Sequence, residues 1–243
     1  MFNRYDLIRV NDKNSTDMGL MLDFASFTWN STTLGRTVTA IPDVSGDRQY
    51  SDERYTNVTQ SFPFLLRAPQ RQPILQALSS VSEWLQPIRD YTPIFFSQFP
   101  DYFFRGVPNA APALTWIAAH EGRITVQFDC KPYMYRKDGQ QYYTGGSLIN
   151  AERSAAKPLI HIAGTGDVAF YVNGVKYQIN GLAGDAYIDS ELEETYDDSG
   201  KSLSGQTQFT DHEYPELVHG VNTLSNDDGI TKMEVMPRWR KLM

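Results

Sequence analysis

The sequence predicts a mainly β protein that carries one α-helix. Three observations point to it. Apolar and polar residues alternate strictly over Arg123–Cys130, and one stretch from Pro73 to Ile88 carries its apolar residues at helical spacing. Turn dipeptides then recur through the second half of the chain at the short intervals of an all-β fold.

Taken in order, Gly19 to Phe27 (Gly-Leu-Met-Leu-Asp-Phe-Ala-Ser-Phe) reads as a strand, as does Gly35 to Ile41. Val44 to Asn57 is polar and turn-rich, which predicts a long exposed loop or arm, and Thr59 to Arg67 resumes an extended pattern. From Pro73 to Ile88, residues Ile74, Leu75, Leu78, Val81, Trp84, Leu85 and Ile88 recur every three or four positions. Pro73 suits the first turn, where its missing N–H has no partner to lose, and Pro87 ends the pattern. The stripe around Trp84 reads as core.

Beyond the helix the signal is β. Ile124, Val126, Phe128 and Cys130 share one face of a strand, with Arg123, Thr125, Gln127 and Asp129 on the other. Val168–Val172 and Val175–Ile179 flank Asn173-Gly174, a dipeptide whose tolerance of positive φ marks a tight hairpin. Asn180-Gly181 and Asp228-Gly229 read as further turns, the latter between Val221–Ser225 and Ile230–Met236. Short strands at this spacing predict a sandwich or a barrel. Between Arg136 and Lys157, Gly, Ser, Gln and charged residues replace the alternation, so a boundary is expected near residue 130. It would separate a β domain with one helix (1–130) from a nearly all-β domain (131–243), with no internal repeat and no low-complexity tail.

Composition excludes several function classes. The 243 residues suffice for one large or two ordinary domains, and 41% hydrophobic with 13% aromatic residues supplies ample core. No stretch approaches the roughly 18 to 20 apolar residues of a membrane helix. Met1 to Asp6 lacks the apolar segment of a signal peptide, so a cytosolic protein is expected and the three Asn-x-Thr/Ser sequons carry no meaning. Cys130, the single cysteine, permits no internal disulfide and no thiolate-rich zinc site, and its place in an alternating run reads as a small buried hydrophobe. A net charge of −7 without a basic cluster argues against specific nucleic-acid binding.

Nothing in the sequence carries catalysis, and no catalytic, cofactor-binding or metal-ligating residue is assigned. Gly164-Thr165-Gly166 lacks the third glycine and the following helix of a dinucleotide loop, so its glycines read as turn residues. The acidic run Asp189 to Asp198 lacks EF-hand spacing and reads as a solvated edge. His120, His161, His212 and His219 share no metal-binding spacing, and neither a nucleophile elbow nor a phosphate-cradling loop is present.

The order of segments after the helix is informative. Pro93-Ile-Phe-Phe96 and Phe99-Pro-Asp-Tyr-Phe103 are followed by Ile124 to Tyr133, Lys157 to Ile162, Gly166 to Gly174 and Tyr187 to Ser190. The chain closes with Tyr214-Pro-Glu-Leu217, Gly220 to Leu224 and Met236-Pro-Arg-Trp-Arg240. This succession resembles the distal tail proteins (Dit) of long, non-contractile-tailed phages that infect Gram-positive bacteria, most strongly from residue 120 to 240. The resemblance implies a ring-forming N-terminal β domain with one helix, six copies closing the ring, and a galectin-like β-sandwich as the C-terminal domain. It implies a structural virion protein of the tail, assembled in the host cytoplasm, that joins the tail tube to the tip or baseplate. Its partners would be further copies of itself, the major tail protein, the tape-measure protein, and the tail-associated lysin, fibre or receptor-binding protein. DNA would pass through the ring without being recognised. In the closing Pro-Arg-Trp-Arg, Trp239 is expected to pack while Arg238 and Arg240 pair with carboxylates. The rival is a carbohydrate-binding module that stacks sugar on Tyr133, Tyr135, Tyr142, Tyr143 or Tyr171. A third reading, a glycosidase, would need two carboxylates of the acidic run converging in one cleft.

Overall fold

A computed structural model describes residues 2–3, 7–43, 45–68 and 72–243. Met1, Arg4–Asp6 and Val44, the first residue of the predicted arm, lie outside the described residues. The chain divides into two compact units, Met1–Met134 with Leu242–Met243, and Tyr135–Lys241.

The first unit contains β1 (Phe2–Asn3), β2 (Ile8–Val10), β3 (Lys13–Asn14), β4 (Leu20–Asp23), β5 (Leu34–Ala40), β6 (Asp47–Tyr55) and β7 (Val58–Arg67). Then come α1 (Ile74–Leu85), β8 (Thr92–Phe96), β9 (Tyr102–Pro108) and β10 (Leu114–Ala118). The long β11 (Glu121–Arg136) carries the chain into the second unit, which holds β12 (Ser147–Asn150), β13 (Leu159–Val172), β14 (Val175–Asp189) and β15 (Glu194–Tyr196). It continues with β16 (Thr207–Phe209), β17 (Gly220–Asn226) and β18 (Ile230–Met236), and β19 (Arg240–Leu242) closes the chain. The strands form a ten-stranded sheet in the order β1-β4-β7-β11-β9-β8-β2-β3 with β10 and β19 beside β11. A seven-stranded sheet follows the order β12-β17-β13-β14-β15, with β16 beside β14 and β18 beside β13, and β5-β6 stand alone as a pair. The protein is thus mainly β with one α-helix among the described residues.

β11 shows why periodicity succeeds. Ile124, Val126, Phe128 and Cys130 are all buried, and the strand pairs in continuous register with β7 from Glu121↔Arg67 to Cys130↔Val58. The strand does not stop at Cys130, as the alternation suggested, but runs to Arg136. Lys131 to Tyr133 are half-buried and Met134 and Tyr135 are both buried, which breaks the period-two signal without breaking the strand. In α1, Ile74, Ala77, Val81, Trp84 and Leu85 form the buried stripe, whereas Leu75 is 58% exposed and belongs to the outer face. Pro73 caps this helix with φ −57° and ψ 134° and does not enter its first turn, its carbonyl accepting from the Ala77 N–H at 3.3 Å. Trp84 Nε1 donates to the Val10 carbonyl at 3.0 Å, which fixes α1 against β2.

Phe62 is the hub of this unit's core. Its ring centroid lies 5.4 Å from Phe96, 5.5 Å from Phe27 and 6.1 Å from Phe128, in stacked or edge-on geometry. Phe27 arrives there from a turn, because β4 ends at Asp23. The Asp23 carboxylate accepts from the Ala25 N–H and the Ser26 hydroxyl, giving the chain local hydrogen bonds that replace a ladder. The predicted strand to Phe27 is therefore half strand and half turn.

In the second unit, Val172↔Val175 closes the β13–β14 hairpin through Asn173 (φ 53°) and Gly174 (φ 80°). Asn180-Gly181 is not a turn. The register steps from Gly166↔Leu182 to Val168↔Ile179, so Asn180 and Gly181 together oppose Asp167 as a β-bulge, and the Asp167 carboxylate accepts from the Gly181 N–H at 2.9 Å. Gly164 and Gly166 likewise sit inside β13. A Cβ on Gly164 would lie 2.5 Å from the Gly229 carbonyl oxygen, so this strand tolerates nothing larger there. Ile160, Ile162, Phe170, Ile179, Ala186, Ile188 and Trp239 build the core of this unit.

Candidate functional site

Within the first unit the feature that stands out from the core is the β5–β6 hairpin. The polar stretch expected as an exposed loop or arm carries its second strand, paired from Ala40↔Asp47 to Leu34↔Tyr55 with a register shift at Leu34/Arg36. Strand pairing was invisible because the described residues are mostly exposed on both faces, so no burial alternation is imposed. Val38, Ile41 and Tyr50 are 54%, 39% and 48% exposed, and Arg48 lies over the Tyr50 ring at 4.9 Å. The base is zipped by threonines, with the Thr32 hydroxyl donating to the Thr56 carbonyl at 2.6 Å and the Thr56 N–H to the Thr33 carbonyl at 3.0 Å. A two-stranded hairpin is marginal alone in water, so an exposed one gains from a covering surface.

Within the second unit two polar clusters are organised by the fold. The first is the C-terminal anchor. Arg238 donates to both oxygens of Asp189, at 2.7 and 2.9 Å, and stands 3.7 Å from Glu191. Asp189 is nearly fully buried and also accepts from the Glu191 and Leu192 N–H groups, while Glu191 accepts from the Tyr135 hydroxyl at 2.8 Å. Burial alone would push the Asp189 carboxyl up; the Arg238 hydrogen bonds and charge, with the two backbone donors, outweigh it and hold the carboxyl below its ordinary value. The acidic run is therefore not simply a solvated edge: its first members fold inward as counter-charges. Trp239 packs as expected, with a Cβ on Gly139 falling 2.6 Å from the Trp239 nitrogen, and Arg240 Nε donates to the Ala155 carbonyl at 2.7 Å.

The second cluster is a cross-strand row on β18, β13, β14 and β15, in which Glu234↔His161, His161↔Tyr187 and Tyr187↔Tyr196 are direct partners. His161 stacks on Tyr187 with centroids 4.6 Å apart and planes 9° apart, and its ring nitrogens lie 2.7 Å from Asp185 and 3.3 Å from Glu234. The Lys232 and His161 hydrogen bonds hold the Glu234 carboxyl below its ordinary value. Sequence reasoning missed this row because register alone assembles it. Its only signal was a histidine inside an apolar strand.

The other sequence candidates are dispersed. Tyr133 meets Tyr55, Tyr135 is buried against Glu191, Tyr142 lies edge-on to His161, and the Tyr143 hydroxyl donates to the Asp138 carbonyl. Tyr171 lies at the far end of β13, paired with Lys176, so the five tyrosines form no common platform. His120 and His219 contact the Gln72 and Glu152 carbonyls, and His212 ends a short 3-10 helix, Thr210–His212. Burial pushes the Cys130 thiol up to about 12, consistent with a packing role. Among the described residues no group of three or more His, Cys, Asp or Glu side chains is placed to hold a metal ion. No helix among them is long and apolar enough to cross a membrane.

No family model matches the sequence, and no curated protein matches it. The fold, however, is shared with a phage hub protein. It is similar to the crystal structure of the Dit protein (gp 19.1) of SPP1, described as a paradigm of the hub adsorption apparatus in phages infecting Gram-positive bacteria. The TM-score is 0.69 at 14% identity, covering 95% of this chain and 96% of that one. The chain therefore has a Dit-like β fold.

Proposed function

We propose that this chain is a distal tail protein, a structural component of a phage virion that joins the tail tube to the tail tip or baseplate. The observation that carries this reading is the Dit-like fold over nearly the full length of both chains. The role is non-catalytic, and its substance is surface. In this reading residues 1–130 build a six-fold ring, and 131–243 form a galectin-like sandwich. The contacts along the tail axis are with the major tail protein, the tape-measure protein and the tail-associated lysin or fibre. A closed ring needs two different complementary patches on each subunit. The exposed β5–β6 hairpin is suited to be one of them, since it buries little of its own chain.

The test is location in the virion. Gold-labelled antibody raised against the purified chain is expected to mark the end of the phage tail distal to the capsid. Labelling of the capsid, or of the tube along its length, sinks the proposal.

A further inference from the structure

The most exposed large apolar side chains among the described residues are neighbours. Ile149, 69% exposed, and Val221, 64% exposed, face each other directly across the β12–β17 ladder. β12 is the outermost strand of the seven-stranded sheet, and no strand lies beyond it among the described residues. One exposed isoleucine needs no explanation, but an apolar pair at the open edge of a sheet calls for one.

The backbone of the same strand supplies a second, independent observation. Thr223 turns both of its backbone groups away from β12: its N–H donates to the Asn173 side chain at 2.9 Å, and its carbonyl accepts from the Asn173 N–H at 2.9 Å. Ser147, opposite Thr223, therefore receives nothing from it, whereas the Leu224 N–H bonds to the Gly146 carbonyl at 2.8 Å. Bonded and non-bonded pairs alternate along an antiparallel ladder. Ser147↔Thr223 and Ile149↔Val221 are thus non-bonded pairs, and the N–H and C=O groups of Ser147 and Ile149 point out of the sheet. Such a row is a template for one more strand, which proteins commonly blunt with lysine, proline or a bulge. β12 reads Ser-Leu-Ile-Asn and β17 reads Gly-Val-Asn-Thr-Leu-Ser-Asn, with neither a charge nor a proline. Their register is unbroken from Ser147↔Thr223 to Asn150↔Gly220. Only shortness restrains this edge.

We propose that the β12 edge accepts an extended, uncharged segment of another protein as an added strand. Ser147 and Ile149 bond its backbone, while a β-branched side chain of the segment packs beside Ile149 and continues the apolar strip begun at Val221. The neutrality of β12 and β17 selects the segment, because a charged one would lose hydration with no counter-charge on either strand. A second copy of this chain is the other source of such a strand. Identical edges pair only across a two-fold axis, however, and neighbours in a head-to-tail ring are not related by one. That step alone rests on the hub reading.

The test uses the intact chain in dilute solution, with acetyl-Thr-Val-Thr-Val-Thr-amide as the probe and amide hydrogen exchange read residue by residue. In the free chain the Ser147 and Ile149 amides are expected to exchange fast, and those of Leu148 and Asn150, which face β17, slowly. The probe should slow Ser147 and Ile149 saturably. Acetyl-Thr-Val-Pro-Val-Thr-amide should not, since its central proline lacks an N–H and resists the ladder. Ile149→Lys should weaken binding about fivefold, the upper range of one cross-strand pair, with slow exchange at Leu148 and Asn150 reporting that the strand is still folded. The inference is overturned if the probe at its solubility limit protects neither amide, if the proline peptide protects them as well, or if Ile149→Lys binds like the parent. It is also overturned if raising the chain concentration protects Ser147 and Ile149 without the probe, which assigns the edge to a second copy. None of these outcomes bears on where the chain lies in the virion, so the hub reading stands or falls separately.

Discussion

Asp189 is the residue on which the second unit's chain end depends, and its energetics follow from its depth. The side chains of Asp189 and Arg238 are 4% and 12% exposed, so neither charge has water to fall back on. Removing one partner of a buried pair leaves the other uncompensated, a loss of roughly 3–5 kcal/mol. Arg238→Ala is therefore expected to lower the unfolding free energy of the second unit by about that much, read by denaturant titration. Arg238→Lys should recover only part, because an ammonium cannot make the two parallel bonds. The pH dependence has a definite sign. A carboxyl whose folded value is depressed contributes stability that is fully present above its ordinary value of 3.8 and is lost as pH falls through the folded value. Asp189→Asn should abolish that acid-side slope while lowering stability at neutral pH. An unchanged slope would show that another carboxylate carries it. Sequence could place Asp189 only in an acidic run; what it could not show is that the left-handed turn at Arg238 (φ 53°) aims a guanidinium back at that run.

At the scale of elements, legibility tracked burial on one face. α1 and the Arg123–Cys130 strand were readable because one buried face imposes a period, 3.6 in the helix and two in the strand. β6 was not, since its described residues are mostly exposed on both faces and answer to turn and pairing chemistry. Asn180-Gly181 was misread for a related reason: the positive φ that suits a hairpin turn suits a bulge equally, and only the opposing strand decides between them. The His161 row was illegible because its members come from four separate strands. α1 offers the clearest test of an element. Trp84→Phe keeps much of the apolar bulk but leaves the buried Val10 carbonyl without its indole donor. A loss of roughly 1–3 kcal/mol is expected, confined to the unfolding transition of the first unit. A neutral result would mean that water or a shifted donor takes over at Val10.

At the scale of the whole molecule the question is whether copies of this chain close into a ring, and the hairpin makes that testable. Among the described residues β5 and β6 are mostly exposed, and none of those residues belongs to either hydrophobic core. A segment that stabilises its own subunit so little is free to stabilise a neighbour, and Val38, Ile41 and Tyr50 give it apolar surface to do so. Replacing Ser45 to Glu53 with a short Gly-Ser linker should therefore leave the circular-dichroism spectrum and thermal midpoint of the subunit close to the parent's, while weakening ring closure. Light scattering coupled to size exclusion reads both proteins: the intact chain is expected at the mass of six copies, the variant at lower mass. Heterologous contacts close only at a fixed rotation, so an intermediate ladder of open oligomers in the variant would also fit a damaged interface. A two-fold dimer of the intact chain that persists with tail partners present would overturn the ring, because an isologous contact uses the same patch on both subunits and leaves no second patch from which a ring could grow.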